Sequence, residues 1–145
     1  MKMKRLIPLF LVASLLGCSQ QITNNEPYIE EGEIEMKLFI DKKEINEVTW
    51  INNPSSQALK ELTPFTIEMS RYGGFEQVGS LNQRIVSNDY QLTTVPGDIV
   101  LYSSSNIVIF FGSNSWSYTK LGHINLRKEE LNNLLNKESV TIEIE

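Results

Sequence analysis

Two stretches in the second half of the chain, Ile99-Val100-Leu101-Tyr102 and Ile107-Val108-Ile109-Phe110-Phe111, are apolar at every position. Successive side chains of a strand point to opposite faces of its sheet, so a run without a polar residue requires cover on both faces. These two runs are therefore central strands, joined through Ser103-Ser104-Ser105-Asn106. The rest of the chain must wrap both sides of the pair.

The remaining segments are short, alternating and separated by turn residues, the signature of an antiparallel sheet. Met36, Leu38 and Ile40 alternate with Lys37 and Phe39, and Ile45 to Trp50 gives the second strand of a hairpin after a tight connection from Asp41 to Glu44. Asn53-Pro54 supplies an N-cap followed by proline at the first helical position; Ala58, Leu59 and Leu62 share one face, and Pro64 ends the helix. Phe65 to Ser70 reads as a strand with Ile67 and Met69 inward, broken by Gly73-Gly74, while Pro96-Gly97 signals a type II turn. A polar loop from Ser113 to Ser115 leads to a strand near Tyr118 to Ile124 and an amphipathic helix around Lys128 to Asn136. Val140, Ile142 and Ile144 then alternate in a last strand. So many strands, with apolar runs too long for a one-sided sheet, predict a mainly β fold: a closed barrel with one or two short helices.

The beginning of the chain reads as an address. A cationic start, Met1 to Arg5, precedes an apolar run from Leu6 to Leu16. In a helix that run reaches only about 16 Å against a hydrocarbon core of roughly 30 Å, which suits a secretory signal and not a span. Leu15-Leu16-Gly17-Cys18 resembles the lipobox of bacterial lipoproteins. Cys18 is the single cysteine, so no intramolecular disulfide competes for it. The expected arrangement is a signal peptide over residues 1–17, a lipidated Cys18 with a flexible tether over 18–34, and a folded domain over 35–145. Two or three acyl chains, palmitate among them, hold such a cysteine firmly at about 0.8 kcal/mol per buried methylene. The protein is thus expected on the cell membrane, lipid-anchored and outside the cytoplasm. Removal of Lys2, Lys4 and Arg5 leaves ten basic against eighteen acidic groups. That balance repels phosphate backbones and disfavours nucleic acid as a partner.

Three strings, Met69-Ser70-Arg71-Tyr72-Gly73-Gly74-Phe75-Glu76-Gln77-Val78-Gly79, Pro96-Gly97-Asp98-Ile99-Val100-Leu101-Tyr102 and Ile107-Val108-Ile109-Phe110-Phe111-Gly112-Ser113-Asn114-Ser115-Trp116-Ser117-Tyr118, resemble the bacterial cyclophilin-like domain family. The likeness covers about Met36 to Ile124. It implies the closed β-barrel of cyclophilins, in a family whose members occur alone, behind lipoprotein signals or beside flavodoxin-like domains and carry no established activity as a group. True cyclophilins are prolyl isomerases that hold the proline ring and the twisted amide with an Arg, a Phe and a Gln. Arg71, Phe75 and Gln77 supply those residue types and are the catalytic candidates. Their spacing departs from the cyclophilin pattern, because Gly73-Gly74 falls between Arg71 and Phe75.

That departure favours a binding module over an enzyme. The expected function is a non-catalytic peptide or small-ligand binder whose groove is lined by Arg71, Tyr72, Phe75, Tyr102, Phe111 and Trp116. A weak peptidyl-prolyl isomerase acting on exported proteins and a structural envelope protein without a small ligand are the alternatives. Each residue also has a plainer reading: Arg71 paired with Glu68 or Glu76 on the surface, Phe75, Phe110 and Phe111 in the barrel core, Trp116 and Tyr118 capping the barrel or standing exposed. His123 is the single histidine and reads as structural, and Asp98 as a turn carboxylate accepting backbone N–H bonds. No residue pattern points to a metal, a cofactor or a serine nucleophile.

Overall fold

The computed structural model describes residues 32–145. The signal segment 1–17, Cys18 and the tether up to residue 31 lie outside the described residues. Ten strands and two helices follow one another: β1 (Leu38–Ile40), β2 (Lys43–Ile45), β3 (Val48–Trp50), α1 (Pro54–Leu62), β4 (Phe65–Tyr72), β5 (Glu76–Ser80), β6 (Tyr90–Thr93), β7 (Asp98–Tyr102), β8 (Asn106–Phe110), β9 (Ser115–Ile124), α2 (Lys128–Leu135) and β10 (Ser139–Ile144).

The two unbroken apolar runs are β7 and β8 with the start of the next loop, and their side chains divide strictly by parity. Ile99, Leu101, Ile107, Ile109 and Phe111 enter one large cluster, while Val100, Val108 and Phe110 enter a second cluster with Tyr118. The large cluster is the barrel interior, to which α1 adds Leu59 and α2 adds Leu131 and Leu135. The second lies on the outer face, where Phe75, Val78 and Leu92 pack around it. Each fully buried aliphatic or aromatic side chain contributes about 1.5–3 kcal/mol. An apolar run in this sequence is thus two interleaved alternations, each with its own core.

All pairings are antiparallel, in the order β2-β1-β10-β4-β5-β8-β7-β9-β3, with β6 paired to β9 off that path. Because β2 and β3 end the order yet follow each other in the chain, the sheet is a nearly closed barrel with one seam between them. The chain ahead of β1 lies along that seam: the Trp50 indole N–H donates to the Met36 carbonyl at 2.8 Å, and Ile34 and Met36 are buried. Lys37 and Glu145 exchange backbone hydrogen bonds at 2.8 and 3.0 Å. On β9, Leu121 is the extra residue of a bulge, since Ile99 opposes Gly122 and Val100 opposes Lys120. Such a bulge bends its strand, and β9 serves β6 with its first half and β3 with its last residues.

The helices form where expected. Asn53 Oδ1 accepts from Ser56 N at 2.8 Å, Pro54 follows, and Asn53 Nδ2 donates to the Lys120 carbonyl at 2.9 Å, so one cap residue also fixes α1 against β9. The hairpin near the start differs from the sequence pattern. Asp41 and Lys42, both at positive φ, turn β1 into β2 alone, and Ile45 to Trp50 is split at Asn46-Glu47 so that β3 crosses to β9. The pattern gives no sign of β6, four residues with one aliphatic side chain, nor of a strand beginning at polar Glu76 and Gln77.

Candidate functional site

Residues directly opposite in an antiparallel pair share a face. Tyr72 on β4 opposes Glu76 on β5, and Glu76 opposes Phe110 on β8, which places all three on the outer face. The Tyr118 ring meets Phe110 edge-on with centroids 5.6 Å apart and Tyr102 at 6.0 Å. Asn114 Nδ2 donates to the Tyr118 hydroxyl at 2.9 Å. Trp116 precedes Tyr118 by two residues, opposes Leu92 on β6, and so stands on the same face. Around a buried aromatic floor the outer face carries exposed rings: Tyr72 is 68 % exposed, Trp116 57 % and Tyr102 39 %.

Glu76 is the unusual member. It is only 8 % exposed, and its Oε2 has no hydrogen-bond partner among the described residues. Burial pushes its carboxyl up to about 7, because a charge held among rings loses water that nothing replaces. In the sequence Glu76 offers itself only as a surface partner for Arg71. No local signal marks it, since its burial comes from packing across β8.

The sign of its effect on stability follows by linkage. The folded state holds the proton more tightly than the unfolded chain, so this group's contribution is fully present below about 4.5 and is lost as pH rises through about 7. Glu76→Gln mimics the protonated form. The wild type is expected to lose on the order of 2 kcal/mol between pH 4.5 and 8 that the variant keeps, read by urea unfolding of both proteins at each pH. Identical pH profiles would contradict the assignment.

The other candidate residues are placed differently. Arg71 and Gln77 oppose each other on the inner face at the end covered by α2. Gln77 Nε2 donates to the carbonyls of Leu135 and Lys137 at 2.8 and 2.7 Å, and Arg71 Nη1 donates to Asn136 Oδ1 at 3.0 Å. The last turn of a helix leaves its carbonyls without intrahelical donors; Gln77 supplies one to Leu135, the final helical residue, while Arg71 binds the side chain of the cap residue Asn136. Arg71 thus meets Asn136 in place of Glu68 or Glu76. Phe75 packs on the outer cluster, away from Arg71, and its carbonyl accepts from Phe111 N and Gly112 N at 2.9 and 3.0 Å. Phe111, one residue past Phe110, turns into the interior and is 3 % exposed. The structure brings Tyr72, Phe75, Tyr102 and Trp116 to the outer face, and separates Arg71, Gln77 and Phe111 from them.

Asp98 accepts the Val95 backbone N–H at 2.9 Å as a turn carboxylate and is buried. It also meets His123 Nδ1 at 2.8 Å and Lys120 Nζ at 3.2 Å, a carboxylate partner that the sequence did not reveal for the histidine. The group ties the start of β7 to β9. Among the described residues no three His, Cys, Asp or Glu side chains converge as metal ligands. A small cavity of about 110 Å³ between α1 and β9 is lined by Pro54, Ser55, Val86, Tyr90 and Lys120.

Compared with protein families, residues 38–145 match the model of the cyclophilin-like family. Neither a curated protein nor a solved structure matches the chain.

Proposed function

We propose, from the premise that this chain belongs to the cyclophilin-like family, that its domain is a non-catalytic peptide-binding module held outside the cytoplasm by lipid on Cys18. The observation that carries the reading is the set of exposed rings, Tyr72, Tyr102 and Trp116, standing around a buried aromatic floor. Large, stiff side chains of this kind lose little conformational entropy on binding and dominate interface energetics. The residues that would run an isomerase are engaged elsewhere. A twisted prolyl amide needs a cationic donor beside an apolar ring pocket, whereas Arg71 and Gln77 hold the end of α2 and Phe75 lies on the opposite face of the sheet.

Peptides selected from a displayed library on the full chain are expected to lose about tenfold or more in affinity on joint substitution of Tyr72 and Trp116 by alanine, as truncation of interface aromatics commonly does. Failure to enrich any sequence, or enrichment indifferent to both substitutions, would count against the surface. NMR exchange on Ala-Ala-Pro-Phe is expected to show no acceleration by the protein; acceleration that Arg71→Ala abolishes would establish the isomerase instead. For the anchor, Cys18→Ser is expected to move the protein from the membrane fraction to the soluble fraction, and a variant that stays membrane-bound would refute lipidation there.

A further inference from the structure

Glu76 lies in the floor of that aromatic surface with an oxygen, Oε2, that no group among the described residues satisfies. Around it on the outer face stand rings: Phe110 opposite on β8, Tyr72 opposite on β4, Phe75 before it in the chain, and Tyr118 edge-on to Phe110. Lys120 is engaged by Asp98 at 3.2 Å, and Arg71, on the inner face, by Asn136 at 3.0 Å. A buried acceptor without a donor forfeits its hydration, the more so when charged, so a site that keeps one gains whenever a donor arrives from outside.

We propose that Glu76 and the rings around it form a receptor for an alkylammonium group, a primary ammonium on an aliphatic stem such as a lysine side chain or a polyamine presents. The inference rests on the binding surface proposed above and names its chemistry. Once ionised, the Glu76 carboxylate supplies the charge and the acceptor for an ammonium N–H, a cation that itself favours the ionised form, and the faces of Phe and Tyr attract the same cation through their quadrupoles. A metal ion does not suit the position, because hard cations require several oxygen ligands and Glu76 is a single carboxylate among rings. Anions are repelled by the carboxylate and by the acidic domain. The aliphatic stem of the ligand lies along apolar rings, and Tyr72, 68 % exposed and opposite Glu76, is the side chain placed to close over it.

The test is titration calorimetry on the full chain in detergent with three probes: the peptide acetyl-Ala-Lys-Ala-amide, its norleucine isostere and spermidine. The lysine peptide is expected to bind about tenfold or more tightly than the norleucine peptide, as a charge-assisted contact predicts. Glu76→Gln, which keeps the shape of the side chain, is expected to level the two. Equal binding of the two peptides to the wild type, or a lysine preference that survives Glu76→Gln, overturns the receptor and leaves the aromatic surface standing. Spermidine binding lost in Glu76→Gln, with neither peptide bound, upholds the receptor with a free polyamine as the source and removes the peptide-binding reading. No binding of any probe overturns the receptor as stated.

Discussion

Phe110→Ala is expected to lower the unfolding free energy by about 3–5 kcal/mol, the range for removing a fully enclosed aromatic ring. The ring has no exposed surface, lies in the outer cluster with Val100 and Val108, and meets Tyr118 edge-on at 5.6 Å. Its loss opens a cavity in a cluster of only four buried residues, which has little other mass with which to collapse. Urea unfolding with an unchanged denaturant slope, together with a changed tyrosine signal in near-UV circular dichroism, checks it. A cost below about 1 kcal/mol, far under that range, would mean that the outer cluster is a coat on the barrel and not a second core.

Gly97→Ala is expected to cost about 3 kcal/mol or more, from backbone strain and a clash acting together. Gly97 has φ +98, and an added Cβ would lie against the Ile124 carbonyl oxygen and 3.0 Å from His123 Cε1. The residue cannot retreat, because its N–H donates to the Phe110 carbonyl at 2.7 Å and its own carbonyl accepts from Ile124 N at 2.8 Å. Gly74→Ala is the matched control, since no atom lies within 4 Å of its Cβ position. Thermal unfolding of both variants separates a strained glycine from a free one, and equal melting temperatures would refute the account.

The barrel was legible because its central strands are apolar on both faces and because turn residues such as Pro96-Gly97 and Asn53-Pro54 act locally. What the local pattern could not carry was partnership at a distance. Val48 to Trp50 is a good strand whether it pairs with β1 or with β9, and only the closed sheet decides. Arg71 and Gln77 have the right chemistry for a site, but α2 ends beside them, where the Leu135 carbonyl takes Gln77 and the Asn136 side chain takes Arg71. Phe110 and Phe111 are adjacent and identical, so which of them faces the outer cluster depends on the register of β8 against β5. Glu76 is a surface residue by composition, and becomes a buried acid only because β8 sets a phenylalanine beside it.

Lys37 and Glu145 hold each other by two reciprocal backbone hydrogen bonds, which latch the segment ahead of β1 to the residue after β10. Tension applied between those points would be borne by β1, β10 and the latch between them. The outer aromatic face, built from β4 to β9, meets the loaded strands only through the pairing of β4 with β10.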